Sequence, residues 1–372
     1  MPSSFGNALR VTIFGQSHSS AIGCVAEGFP SGFRIDQKEL ARFMARRAPG
    51  RSAWSTPRAE ADAVKFLSGL NPTGETCGAP ITCVIENTNT RSRDYDELKR
   101  VPRPGHADYT AQAKWHGAQD VAGGGHFSGR LTAPLCAAGG IALQMLEERG
   151  VRIGAHLAEV AGITDEPFAA RRGDIAALAA QFDVLSDGRA FPTLSDEVGE
   201  AMREAIEAAR SDADSVGGII ECAAYGLPAG IGSPLFDGIE STISRIAFGV
   251  PAVKGIEFGA GFEAARLRGS QNNDSYSIAP DGSVVVTKND AGGNLGGIST
   301  GAPVVFRMAL KPTPSIGREQ ASVDLASGTQ AALNIKGRHD PCIAPRAVPV
   351  AEAVMALALL DLWLAYPPDP TI

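Results

Sequence analysis

The sequence has six cysteines but no C-x-x-C pair: Cys24, Cys77, Cys83, Cys136, Cys222 and Cys342 are scattered. That spacing argues against a zinc ribbon or a redox dithiol, and the default is reduced thiols in the cytoplasm. There is no basic excess either: the net charge is −7, so no overall positive field favours nucleic acid. No His-x-x-x-His or carboxylate cluster has metal-ligand spacing. The N-terminus has no positively charged start ahead of a long apolar core, so no signal peptide is expected. One apolar run, residues 347–365, reaches membrane-span length, but Glu352 and Asp361 interrupt it and prolines follow. A buried amphipathic helix is expected there. No repeat, low-complexity linker or sharp compositional change divides the 372 residues, so one interwoven domain, 1–372, is expected.

What the chain does have is glycine (43), proline (24) and a set of loops in which they bracket reactive side chains. Short β-type runs are expected at residues 11–14, 22–27, 81–86, 151–160, 218–224, 283–288 and 303–310. Helices are expected at 36–47, capped by Asp36 with Glu39 in the capping-box position, and at 131–149, 174–182 and 196–210. A last long helix is expected to start near Pro349. Residues 255–282 read as a long glycine- and asparagine-rich loop, either mobile surface or a lid. Interleaved strands and helices make an α/β or α+β chain.

Four loops carry candidate chemistry. Gly15-Gln16-Ser17-His18-Ser19-Ser20 follows a strand and offers a histidine for proton transfer, though it could be only a polar turn. Arg103-Pro104-Gly105-His106-Ala107-Asp108-Tyr109 places a cation, a histidine and a carboxylate on one stiff Pro-Gly turn. Gly123-Gly124-Gly125-His126-Phe127-Ser128-Gly129-Arg130 precedes a helix, where backbone N–H groups suit a phosphate. It matches neither the P-loop nor the dinucleotide fingerprint. Gly337-Arg338-His339-Asp340-Pro341-Cys342, with Pro345-Arg346, precedes the last helix. Lys311-Pro312-Thr313-Pro314-Ser315 adds a cation and hydroxyls. Arginines grip phosphate and carboxylate bidentately. Of the arginine cluster 42, 46, 47 and 51, Arg42 and Arg51 read as solvated, while Arg103 reads as a pocket residue. No nucleophile elbow is present. The set points to proton transfer on an anionic, phosphorylated small molecule.

These loops, in this order, resemble chorismate synthases, and the likeness extends over residues 5–360. It is carried by 103–109, by Gly292-Gly293-Asn294-Leu295-Gly296-Gly297-Ile298-Ser299, by 311–315, and by 337–342 with 345–350. The resemblance implies an α+β, β-α-β sandwich fold in a homotetramer. It implies conversion of 5-enolpyruvylshikimate 3-phosphate to chorismate and phosphate, an anti-1,4 elimination that needs reduced FMN without net redox change. NADPH belongs to the same chemistry. No reductase-like segment is seen, so an external flavin reductase is expected as a partner, while nucleic acid and membrane are not. By resemblance His18 protonates the leaving phosphate, His106 lies beside the flavin and stabilises its reduced anion, and Asp340 assists removal of the ring proton. Arg47, Arg103, Arg130 and Arg338 would hold anions. FMN would contact His126, Phe127, Ser128, Pro251, Ala252, Gly296, Lys311, Pro312, Thr313, Pro314, Ser315 and Arg338.

The chain departs from the family pattern in places. Gln16 and Ser19 replace a glutamate and a glycine around His18. His126, Phe127, Gly129 and Leu131 alter the Gly-rich loop, where an arginine and a glutamate are gone. One residue is inserted near His116, and Ala53, followed by Trp54, stands where an arginine is expected beside Ser52. Two other readings stay open at this point: a flavin-dependent elimination on a different anion, and a flavin-binding homologue without catalysis.

Overall fold

Ile81–Glu86 alternates buried and half-buried residues, the period of a strand with one face on a core. It pairs residue for residue with a neighbour through Ala21↔Glu86 to Ala26↔Ile81. In this computed structural model, which describes residues 3–50, 62–88, 97–186, 189, 191–335 and 340–368, that pair is the centre of a first antiparallel sheet. Its strands are β1 (Ser4–Phe5), β2 (Arg10–Phe14), β3 (Ala21–Glu27), β4 (Lys65–Ser68) and β5 (Ile81–Glu86), in the order β1-β2-β3-β5-β4.

A second sheet uses β6 (Arg152–Val160), β7 (Ile163–Thr164), β8 (Gly218–Tyr225) and β9 (Val253–Phe258). Two small hairpins follow in the chain, β10 (Tyr276–Ile278) with β11 (Val284–Val286) and β12 (Asn294–Leu295) with β13 (Ile298–Ser299). The second sheet then gains β14 (Val304–Leu310), giving the antiparallel order β7-β6-β8-β14-β9. A last hairpin joins β15 (Gln320–Asp324) and β16 (Thr329–Leu333).

The helices are α1 (Gln37–Arg47), α2 (Asp108–Trp115), α3 (Thr132–Glu147), α4 (Ile175–Ser186), α5 (Asp196–Ser211), α6 (Ile239–Ala247), α7 (Gly269–Asn272) and α8 (Ala344–Ala365). Helix α3 covers one face of the first sheet, and α1 packs on α3 and α8; α8 packs on α3 and, on its other side, on β6 and β8. Helices α1, α3 and α8 are therefore the filling between two sheets, the sandwich that the sequence resemblance implies. One apolar cluster runs through both sheets and the helices between them.

Helix α8 explains the two acids in the long apolar run. Asp361 accepts backbone N–H groups of Asn7, Ala8 and Leu9, while Glu352 takes both Nη groups of Arg46 at 2.7 Å and the backbone N–H of Ala155. Buried carboxylates persist when their oxygens are satisfied in this way. By length and composition α8 could cross a membrane, yet 89% of its most apolar window is buried in the molecule.

Three expectations need correction. The last helix begins at Ala344, five residues ahead of Pro349. The N–H groups of Arg346 and Ala347 already donate to the Ile343 carbonyl, and it is Pro345 that takes the first-turn position. Residues 255–282 are not one loop: β9 occupies the start, where β-branched Val253 and Ile256 pair with β14, and α7 and β10 follow. The strand expected at 283–288 is shorter and pairs only with β10, in a hairpin whose Tyr276, Ile278 and Val284 are exposed.

Candidate active site

The first, second and third reactive loops meet around glycine. The Ser17 backbone N–H donates to the Gly125 carbonyl at 3.0 Å, and Ser128 Oγ donates to Ser17 Oγ at 3.3 Å. Gly123 has φ +62, and a Cβ there would fall 2.6 Å from both His18 Nε2 and Ser17 Oγ. Only glycine lets this loop close on the histidine. The third loop winds through two short 3-10 turns before α3, with Ser128 capping the second.

The second loop is built around Asp108, at the start of α2. Its Oδ2 accepts from Arg103 Nε at 2.7 Å and from the Arg103 backbone N–H at 3.1 Å, and its Oδ1 accepts from Arg103 Nη2 at 2.8 Å. His106 Nδ1 lies 2.6 Å from the same Oδ1. Burial alone would raise the Asp108 carboxyl, but hydrogen bonds from Arg103 and His106 outweigh it and hold the group well below the ordinary carboxylate range. An ionised carboxylate only accepts, which assigns a proton to Nδ1. Arg103 Nη1 reaches across to Ser315 Oγ at 3.1 Å, and Lys311 Nζ donates to the Gly105 carbonyl. Burial, with Lys254 nearby, pulls the Lys311 ammonium below its ordinary value.

In a separate cluster Asp62 bridges two arginines, accepting from Arg47 Nη1 at 2.6 Å and from Arg130 Nη1. Asp340 accepts from Arg346 Nη1 at 2.7 Å, and Arg346 Nε donates to the Arg47 carbonyl. These groups surround a cavity of about 850 Å³, lined by Ser17, Arg47, Arg103, His106, Gly123, His126, Phe127, Ser128, Arg130, Pro251, Ala252, Lys311, Thr313, Pro314, Ser315, Asp340 and Arg346, with apolar stretches at Val253, Leu310, Ile343 and Val350. The volume lies within the range of ligand pockets.

Most of the residues singled out from sequence thus converge on one cavity. His18 stands just behind its wall, against Gly123 and beside Ser17. Pro312 does not line it, although both its neighbours do. Gly296 does not line it either: it sits at the β12–β13 turn, next to Gly297, which packs on Ser233 and Gly238. Arg338, with His339, lies outside the described residues, as do Arg51, Ala53 and Trp54. Arg42 is solvated and pairs with Glu39. Sequence reasoning missed Asp62, Asn87 and Thr132, which hold the arginines. Asp62 has no local signal, because its partners are 15 and 68 positions away. Among the described residues no group of His, Cys, Asp and Glu could hold a metal ion.

An α+β sandwich that gathers arginines, histidines and a carboxylate around one cavity defines an enzyme for a small polyanion. A sequence profile of the chorismate synthase family matches residues 9–364. The chain is 50% identical to the chorismate synthase of Lancefieldella parvula, over 99% of this chain and 98% of that one. It is 43% identical to the chorismate synthase of Korarchaeum cryptofilum, covering 96% of each. The crystal structure of a chorismate synthase, 24% identical, shares the fold at a TM-score of 0.73 over 97% of this chain and 93% of that chain. The chain belongs to the chorismate synthase family. It is accordingly a carbon–oxygen lyase that releases phosphate from 5-enolpyruvylshikimate 3-phosphate to give chorismate, the last step of the shikimate pathway.

Proposed function

We propose that the cavity binds reduced FMN together with the phosphorylated enol-ether substrate, and that His18, His106 and Asp340 manage the protons of an anti-1,4 elimination. The observation that supports this most is the convergence of four distant loops on one cavity with Arg47, Arg103, Arg130 and Arg346 in its lining. The cavity fits a planar ring carrying a phosphate. It has apolar walls and cations, and the Thr313 hydroxyl is buried without a partner among the described residues. His126, Phe127, Ser128, Pro251, Ala252, Lys311, Thr313, Pro314 and Ser315 would hold the cofactor; for Gly296, Pro312 and Arg338 the support is the family resemblance alone. When bound, reduced FMN supplies the electron-rich partner that eases loss of the leaving group.

The chain's own residues do the rest. Arg47, Arg103 and Arg130 neutralise substrate carboxylates and phosphate, which lowers the charge build-up as phosphate departs. Proton delivery to the leaving oxygen falls to His18, held beside Gly123. In His106, Asp108 fixes Nδ1–H, so that proton exchange falls to Nε2. Arg346 orients Asp340 through Oδ2, so that this carboxylate assists removal of the ring proton. One C–O bond breaks, one C–H proton leaves, and no net oxidation results.

Support for a single domain comes from the shared apolar core; support for a homotetramer, cytoplasmic location, NADPH as electron source and an external flavin reductase comes from the resemblance. The test is an anaerobic assay with chemically reduced FMN and 5-enolpyruvylshikimate 3-phosphate. Chorismate and phosphate should appear in equal amounts, and release of neither would overturn the proposal.

A further inference from the structure

Two buried guanidinium groups in the cavity wall share a single carboxylate. The Asp62 side chain is fully buried, the Arg47 and Arg130 side chains are 4% exposed, and one Asp62 oxygen faces each arginine. Asp62 itself does not line the cavity, whereas both arginines do. We propose that Asp62 is a positioning residue that locks Arg47 and Arg130 into one paired binding site for an anionic group of the substrate; this rests on the reading of the cavity as the substrate site.

Like charges brought together away from water repel, and an intervening carboxylate removes that repulsion while setting their spacing. Burial would raise the Asp62 carboxyl, but the charges of Arg47 and Arg130 override it and keep the group ionised. The remaining contacts fix the pair further. Arg47 Nε donates to Thr132 Oγ1 at 3.1 Å, Arg47 Nη2 to the Gly129 carbonyl at 2.9 Å, and Arg130 Nε to Asn87 Oδ1 at 3.0 Å. The Asp62 backbone has φ +49, a left-handed conformation that aspartate tolerates better than most residues. This geometry places α1, the turn before α3 and the approach to β4 on one carboxylate.

The experiment compares wild type, Asp62→Asn and Asp62→Glu by steady-state kinetics at saturating reduced FMN, and by calorimetric binding of inorganic phosphate. Asp62→Asn should raise KM and the phosphate Kd by about 10- to 100-fold, the range for losing a charge-assisted hydrogen bond, with kcat changed less than about threefold. Asp62→Glu should recover most of that loss. A merely structural role would lower the melting temperature without this split. If folded Asp62→Asn keeps its KM and phosphate Kd, or binds more tightly because Asp62 competes with the anion, the proposal is overturned. Should Asp62→Asn not fold, Asp62→Asn/Arg47→Gln leaves no added buried cation. Because Asp62 also anchors Arg130, the KM of this double variant should rise about tenfold above that of Arg47→Gln alone, and a KM equal to that of Arg47→Gln would overturn the proposal. If wild type releases no phosphate from substrate, the functional reading fails by itself, and the phosphate-binding arm still decides the role of Asp62.

Discussion

At the scale of the residue, charge is placed in the cavity together with its counter-charge. Arg103 has Asp108, Arg346 has Asp340, and Arg47 and Arg130 share Asp62. Burying a guanidinium without a partner costs far more than pairing it, so these carboxylates let an acidic protein keep cations at its centre. Asp108 does the most, since it accepts from Arg103 at three nitrogens and also sits on His106 Nδ1. Replacing it by Asn removes the charge and lets an amide N–H face the ring, which disfavours the tautomer with Nδ1 protonated. Asp108→Asn should therefore lower kcat/KM about 10- to 100-fold, equivalent to about 1.5–3 kcal/mol for hydrogen bonds to charged groups. Steady-state rates with reduced FMN check this, and an unchanged kcat/KM would show that His106 needs no anchor. The turn itself was visible in the sequence as Pro-Gly beside a histidine. The role of Asp108 was not, because two acceptor oxygens and their partners are a matter of angle rather than of spacing.

At the scale of the element, the helix layer depends on close approach. Gly139 and Gly140 weaken α3 as an isolated helix, yet a Cβ at Gly139 would lie 2.4 Å from the Ala353 Cβ and 2.7 Å from its Cα. Helix α8 thus passes against the bare backbone of α3. Gly139→Ala gains up to about 1 kcal/mol of helix propensity but forces two packed helices apart, a change that costs about 1–3 kcal/mol, or more where backbone must move. We expect net destabilisation, read as a lower denaturation midpoint with unchanged m, and partial recovery when Ala353→Gly is added. A more stable Gly139→Ala protein would show that the helices slide apart freely. Elements with clear periodicity were legible: β5 is found where the alternation put it, and Asp36 caps α1 as expected. The misread regions share a cause. Glycine in 255–282 and proline at 349 are local signals for irregular chain. Pairing of β9 with β14 and burial of α8 between α3 and the second sheet override them.

At the scale of the whole molecule, the site draws on residues from Ser3 to Val350, whereas a second buried charge cluster, on the second sheet, lies outside its lining. His156 on β6 is fully buried with Nδ1 3.2 Å from Asp165 Oδ2 and Nε2 3.1 Å from Glu221 Oε2 on β8, under the ring of Phe168. Two acceptors facing both ring nitrogens suit the doubly protonated imidazolium. Burial would push its pKa down, but the hydrogen bonds to Asp165 and Glu221 prevail and raise it above the ordinary histidine value. Burial likewise acts to raise Asp165, yet the His156 hydrogen bond and the Leu194 N–H hold it below the ordinary carboxylate range. A raised folded-state pKa contributes stability in full below the unfolded value of about 6.5, and that contribution is lost as pH rises through the folded value. The Asp165 contribution has the opposite sense: it is present above about pH 4 and lost as pH falls through its lowered folded value. Wild type minus His156→Gln stability should therefore be largest near pH 6 and shrink toward pH 9. Thermal melts of the two proteins from pH 5 to about 9 read this directly. A difference that instead grew as pH rose through about 6.5 would mean that His156 is buried neutral.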